Sequence, residues 1–295
     1  MGLRPHRPHL AGVLLALAAC RGAGHRQAGP SAIVATDDAG RRVALAAPAR
    51  RVVSLSPAVT ELLFALGAGD RVVGRTHWCD YPPQVSAIPD VGDGLNPNVE
   101  AVSARKPDLV VLYRSPMDAT AAEQFDRMGV ASALVSQDRI EDLARAARLL
   151  GALTGRAAAG DSIADALGAL LSAPPPFPTS RVAFVVWDNP PMVIGAGSYL
   201  DQLATLAGAR NVFHDLAAPS ATVSLEVIAQ RDPDAIVVLS DSGALPSWAH
   251  RPEWRTVRAV REGRIISLAG SLFARPSPRA ALATAELRRR LEGAR

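Results

Sequence analysis

Short apolar runs bounded by turn residues alternate with stretches of helical periodicity along most of this chain. Two β-prone runs around an Asp-Ala-Gly turn predict a hairpin over 33–45. Residues 51–57 read as a buried strand ending in a Ser-Pro loop, 58–69 as an amphipathic helix closed by glycine, and 70–76 as a second short strand. Tandem prolines make 77–83 a loop, and Gly, Asn and Pro do the same for 90–98. A short helix opening at Glu100 then leads to strand 109–113, helix 119–128, strand 133–135 and helix 140–150. The longest helical stretch is 156–173, where Ile163, Ala166, Leu167, Leu170 and Leu171 recur at three-to-four-residue spacing. It would run roughly 27 Å at the usual rise, and the proline-rich segment after it ends it. Beyond lie a strand then a loop over 181–191, helix 198–208, a helix carrying Glu226, strand 235–239, a turn at 241–243, a helix at 254–261, strand 264–268, and a terminal helix 277–291 capped by Ser277.

The long helix divides two copies of one pattern. VEAVSARKPDLVVLYR (99–114) and LEVIAQRDPDAIVVLS (225–240) each give an apolar residue, Glu, a short helix, Pro-Asp and a buried β run. In both, the glutamate precedes the proline by the same interval, Glu100 to Pro107 and Glu226 to Pro233. Strand–helix alternation implies an α/β fold with a parallel sheet in each half, covered on both faces. The expected architecture is two parallel-sheet lobes, 32–153 and 176–295, joined by a single backbone helix within 154–175, with a ligand cleft between them. Ligands of such sheets bind beyond the carboxyl ends of the strands. The loops so placed contain Pro57, His77, Trp78, Tyr81, Tyr113, Arg114, Trp187 and Arg275. The chain has four tryptophans and three tyrosines, and Trp78, Tyr81, Tyr113 and Trp187 all fall there, which suggests stacking on a flat, partly apolar ligand.

Charge narrows the field. The formal net charge of +4 is carried by Arg4, Arg7, Arg21 and Arg26, because residues 1–30 contain no acid and the remainder balances. A basic groove for nucleic acid is therefore not indicated. Arg4 and Arg7 precede an apolar run, 10–19, too short to span a membrane, and it ends in Leu-Ala-Ala-Cys. Residues 1–19 read as a signal peptide of the lipoprotein kind, with Cys20 the acylated residue and 20–31 a tether. An ordinary secretory signal is the alternative. With Cys20 acylated, Cys79 is the one remaining thiol and no internal disulfide can form.

SPAVTELLFALGAGDRVVG, CDYPPQ, VEAVSARKPDLVV and SPRAALATAELRRRL, together with the TDDAGR hairpin, resemble the vitamin B12-binding proteins of ABC importers. More broadly they resemble the helical-backbone metal-chelate receptors, the class III substrate-binding proteins, which also take siderophores and haem. The resemblance runs from about Ile33 to Leu291 in constant order. It implies two α/β lobes on one helix, no catalysis, no cofactor of its own, and a corrinoid as transported ligand. It also implies export to the periplasm on a lipid anchor and a monomer that docks on a permease dimer with its ATPase subunits. Glu100 and Glu226 match the docking glutamates, which would pair with permease arginines; a first-turn glutamate favoured by the helix dipole is the plain alternative.

The ligand residues carry over unevenly. Trp78, Tyr113, Arg114, Phe273 and Arg275 match cleft positions of the B12-binding proteins, with Pro57, Tyr81 and Trp187 added from the loop argument. Gly94 and Ser220 stand where those proteins have Trp, Leu272 replaces another aromatic, and Ser271 replaces an Asp. Haem or a ferric siderophore is the runner-up ligand, with Arg75, Arg114 and Arg275 available to an anionic chelate. His77 and Cys79 could offer an axial ligand to a metal, but two ligands do not close a zinc site. A surface sensor with another partner is a different class of reading. A hydrolase built on Ser54, Ser56, His77 and Asp80 is the remotest, because no Gly-x-Ser-x-Gly elbow surrounds either serine.

Overall fold

The computed structural model describes residues 1–2, 32–174 and 180–293, so residues 3–19 of the expected signal sequence, Cys20 and the tether lie outside the described residues. Strands β1 (Ile33–Thr36) and β2 (Arg42–Leu45) form the expected antiparallel hairpin. Its turn does more than reverse the chain. Asp37 accepts the Leu134 amide at 3.0 Å and Asp38 accepts that of Ser136 at 2.7 Å, while the Asp38 amide donates to the Leu134 carbonyl. These bonds cover the open edge of a later strand that would otherwise be free to pair with another chain.

Then follow β3 (Val52–Ser54), α1 (Pro57–Ala65), β4 (Val72–Arg75), α2 (Val99–Ser103), β5 (Leu109–Tyr113), α3 (Pro116–Arg127), β6 (Ala131–Val135) and α4 (Ile140–Leu153). The four strands make a wholly parallel sheet in the order β4-β3-β5-β6. Its central strand β5 is buried from Leu109 to Leu112, as an uninterrupted apolar run between two helical layers requires.

Helix α5 (Ala157–Ser172) is the expected long helix, but it does not stand free. The chain turns at Gly155 and α5 packs back along α4. A Cβ on Gly160 would lie 2.5 Å from the Ala147 carbonyl oxygen, so glycine is what allows the two backbones to approach. Arg148 ties the outer face through Asp161 and Asp165.

The second half contains β7 (Ser180–Asp188), β8 (Pro191–Ile194), α6 (Tyr199–Ala207), β9 (Ala209–Asn211), β10 (Ser220–Thr222), α7 (Leu225–Arg231), β11 (Ala235–Leu239), α8 (Arg258–Arg261), β12 (Ile265–Leu268), α9 (Gly270–Phe273) and α10 (Ala280–Gly293). Strands β7, β11, β12 and β9 are parallel, but β8 and β10 extend the sheet antiparallel. The loop expected after β7 is thus a hairpin into β8. The helix expected over 254–261 is 3-10 at Pro252–Thr256 before α8. Helix α10 begins at Ala280 rather than at Ser277, whose hydroxyl accepts the Arg279 amide at 3.1 Å.

The repeated pattern is a repeated structure. Asn98 caps α2 and Ser224 caps α7, each accepting the amide three residues on. Lys106 (φ 49°) and Asp232 (φ 45°) take the left-handed conformation before the two prolines. Arg51 donates to the Lys106 carbonyl at 2.8 Å, and Arg181 to the Arg231 carbonyl at 2.7 Å. Asp108 and Asp234 accept the amides of those same arginines at 3.0 and 2.9 Å. Each half therefore clamps the end of its glutamate-bearing helix to the start of the neighbouring strand, β3 in one half and β7 in the other.

One apolar cluster runs through both halves. It includes Val52, Leu62 and Leu143 on one side, Ala164 and Leu167 of α5, and Phe184, Leu203, Val237 and Leu287 on the other.

Candidate functional site

The carboxyl ends of all four strands of the first sheet open on one pocket of about 280 Å³. Leu55, Ser56 and Pro57 follow β3, Thr76 and Trp78 follow β4, Tyr113 ends β5, Gln137 follows β6, and Asp93, Gly94 and Leu95 close the wall. Pro57, Trp78 and Tyr113 are thereby brought together. A larger hollow of 570 Å³ lies at the opposite, amino ends of β5 and β6, where Pro107, Asp108 and Ala131 face β2, and has no aromatic wall. A flat apolar ligand has nothing to stack on there.

The pocket is held by a buried hydroxyl cluster beneath it. Thr60 Oγ1 lies 2.8 Å from Ser54 Oγ, 3.1 Å from the Ser56 carbonyl and 3.1 Å from Cys79 Sγ. Ser56 Oγ bonds Gln137 Oε1, and the Gln137 side-chain nitrogen has no hydrogen-bond partner among the described residues. The Tyr113 hydroxyl donates to Asp138 at 2.9 Å. Burial, reinforced by that carboxylate, pushes the phenol up to about 12, so it stays neutral with its proton committed to Asp138. Gly94 is required where it stands, since a Cβ there would fall 2.1 Å from the Leu55 carbonyl oxygen.

Other expected residues are distributed differently. Trp78 is 60% exposed and His77 stacks tilted against it at 4.5 Å, whereas Cys79 is buried among hydroxyls. His77 and Cys79 therefore do not converge, and the described residues contain no group of three metal-ligating side chains. Trp187 is 61% exposed, its indole donating to the Asn189 carbonyl, and it does not line this pocket. Phe273, expected at the cleft, is 1% exposed and belongs to the core cluster, so its ring offers no face to a ligand. Ser220 is an exposed residue of β10, Leu272 packs on the core, and Ser271 donates its amide to Asp241.

Of the arginines considered for an anionic chelate, two are already engaged. Arg75 pairs with Asp90 and donates to the Ile88 and Thr76 carbonyls. Arg275 pairs with Glu61 and Asp80. Arg114 is exposed, and among the described residues its side chain donates to Ser136. Ser54, Ser56, His77 and Asp80 form no nucleophile set: Ser54 is buried, Ser56 bonds Gln137, and Asp80 bonds Arg275.

Glu100 and Glu226 occupy the second position of α2 and α7, both exposed. The Ser224 hydroxyl and the backbone of its own helix start hold the Glu226 carboxyl below the usual range.

Residues 52–272 match the family model described as periplasmic binding protein. The chain belongs to that family. This binding protein is 33% identical over 243 residues, 81% of its length and 89% of the other's, to a vitamin B12-binding protein of Salmonella typhimurium. Its fold is that of the periplasmic vitamin B12 binding protein BtuF of Vibrio cholerae, with TM-score 0.68, 23% identity, and coverage of 84% and 98% of the two chains. It is shared as well by the periplasmic heme-binding protein RhuT of Roseiflexus sp. RS-1, with TM-score 0.71, 24% identity and coverage of 83% and 98%. The architecture is the two-lobed class III one expected, and the binding protein is a non-catalytic, periplasmic component of an ABC importer system.

Proposed function

We propose that this binding protein captures a corrinoid of the vitamin B12 type and hands it to its permease. The similarity to the Salmonella vitamin B12-binding protein over most of both chains carries the reading. The pocket chemistry supports it. A corrin ring is flat, apolar on its faces and fringed with neutral carboxamides, which suits Trp78, Tyr113 and Pro57 beside the Gln137 side-chain nitrogen, which has no hydrogen-bond partner among the described residues. Arg75 and Arg275 are neutralised by carboxylates, leaving little cationic surface for the two carboxylates of a haem or for an anionic siderophore. Tyr81, Arg114 and Trp187 complete the proposed ligand region, with Arg275 supporting it through Glu61 and Asp80, while the buried Phe273 belongs to the core.

The binding protein acts as a monomer with lobes 32–153 and 176–295 on the helical connection 154–175. It is anchored to a membrane through acylated Cys20 after removal of 1–19. Glu100 and Glu226 present one carboxylate each to arginines of the two permease subunits. Titration with cyanocobalamin, cobinamide, haemin and a ferric siderophore, followed by calorimetry and visible absorption, tests the ligand. Tight binding of both corrinoids is expected. Binding of haemin or the siderophore alone would keep the transport role and overturn the corrinoid assignment.

A further inference from the structure

Glu61 lies in α1, one turn beyond Pro57 of the pocket, and its side chain is only 2% exposed. A carboxylate so buried requires compensating partners, and here they come from the far end of the chain. Arg275 Nε donates to Oε1 at 2.9 Å, Arg279 donates to both oxygens at 2.9 Å, and Ser277 Oγ donates to Oε2 at 2.6 Å. The same two arginines reach outward to one loop. Arg275 donates to Asp80, and the Arg279 guanidinium lies 3.7 Å over the Tyr81 ring. Cys79, between them and Trp78, is held by Thr60 and Thr76 at 3.1 and 3.3 Å. Three consecutive residues after Trp78 are thus pinned, while the Trp78 indole itself is left exposed.

We propose that Glu61 is a positioning residue of the ligand cleft. Through Arg275 and Arg279 it fixes the loop that presents Trp78, so that the stacking platform is in place before ligand arrives. This rests on the ligand-binding reading of the pocket above. Two arginines face two carboxylates in this network, so each partner neutralises another and none is spare for an anionic ligand. A loop held in its bound form spares the ordering cost that a mobile loop would incur on binding. The exposed indole of Trp78 supplies contact area without rearrangement.

Glu61→Gln keeps the shape of the side chain and removes its charge; Asp80→Asn cuts only the outer arm, at a side chain that is 53% exposed. The measurements are acrylamide quenching and fluorescence anisotropy of Trp78, taken as the difference between each protein and its Trp78→Phe counterpart. They are read alongside the dissociation constant for cyanocobalamin and the thermal midpoint. Both variants are expected to make Trp78 more mobile and more quenchable and to weaken cyanocobalamin about tenfold. Asp80→Asn should do so with the smaller fall in midpoint, which keeps the test decisive where Glu61→Gln folds poorly. Unchanged Trp78 quenching and affinity in Asp80→Asn, whatever the midpoint of Glu61→Gln, would overturn the proposal and leave the network a stabiliser of the fold alone. If the native protein ignores cyanocobalamin, the corrinoid reading fails while the quenching comparison still decides whether Glu61 positions the loop.

Discussion

Tyr113 joins the wall of the pocket to the interior, and its ionisation reports on both. Burial is the main reason its phenol is pushed up to about 12, with the Asp138 carboxylate adding to it. A tyrosine whose folded value exceeds its unfolded value of about 10 contributes stability that is complete below the unfolded value. That contribution is lost as pH rises from about 10 through the folded value, because the unfolded chain releases the proton first. Absorbance titration of the native protein against Tyr113→Phe should therefore show this phenolate emerging near pH 12. Asp138→Asn should lower the transition only part of the way, since burial remains; a native transition near pH 10 would contradict the buried, hydrogen-bonded phenol. Tyr113, Trp78 and Pro57 were legible in sequence because each lies at or a few residues beyond the carboxyl end of a short β run, so that strand direction alone assigns them to one edge. Gln137 was not: nothing in SQDR signals that its amide will face Ser56 across 81 positions. Phe273 failed in the opposite direction, because similarity of position carries no information about which way a ring turns. The replacement of an aromatic by Gly94 was visible, but its reason, the close approach to the Leu55 carbonyl, exists only in three dimensions.

Elements whose sequence period matches their burial were legible nearly to the residue. Strands β5 and β11 are uninterrupted apolar runs and fall at Leu109–Tyr113 and Ala235–Leu239 as expected. Strands β8 and β10 were missed because runs of only four and three residues near prolines carry too little pattern to separate them from loop. The duplicated module around α2 and α7 gives the glutamates more than a shared register. Cap, left-handed exit, arginine clamp and Pro-Asp strand entry recur together, so Glu100 and Glu226 are presented from equivalent frames, both exposed. Glutamates serving only as first-turn residues would need no such matched support. Charge reversal of both, Glu100→Lys with Glu226→Lys, is accordingly expected to abolish uptake in cells while leaving the ligand dissociation constant within about twofold of native, as substitutions outside a binding surface do. Undiminished uptake would remove the docking role. Loss of ligand affinity in the same variant would mean that the two helices belong to the cleft instead.

At the scale of the whole molecule, the connection between the halves decides how ligand is captured. A lone helical strut could bend at its ends, but α5 is packed along α4, and the apolar cluster passes from Val52 through Leu167 to Phe184 and Leu287 without a break. The buried Glu61 adds a second tie between α1 and the segment before α10. Rotating one sheet against the other would shear that cluster and separate a carboxylate from two arginines. Close-packed interiors shift between discrete arrangements rather than deforming smoothly. Ligand capture should therefore proceed with backbone movement of about 1 Å or less, the range of preorganised complexes. Solution scattering with and without saturating ligand measures this directly: the radius of gyration and the pair-distance distribution are expected to coincide. A clear contraction on binding would show that the shared core yields, and the discrimination between loaded and empty protein at the permease would then rest on lobe closure. If the curves coincide, that discrimination must be local, carried by the ligand itself and by the loops that hold it.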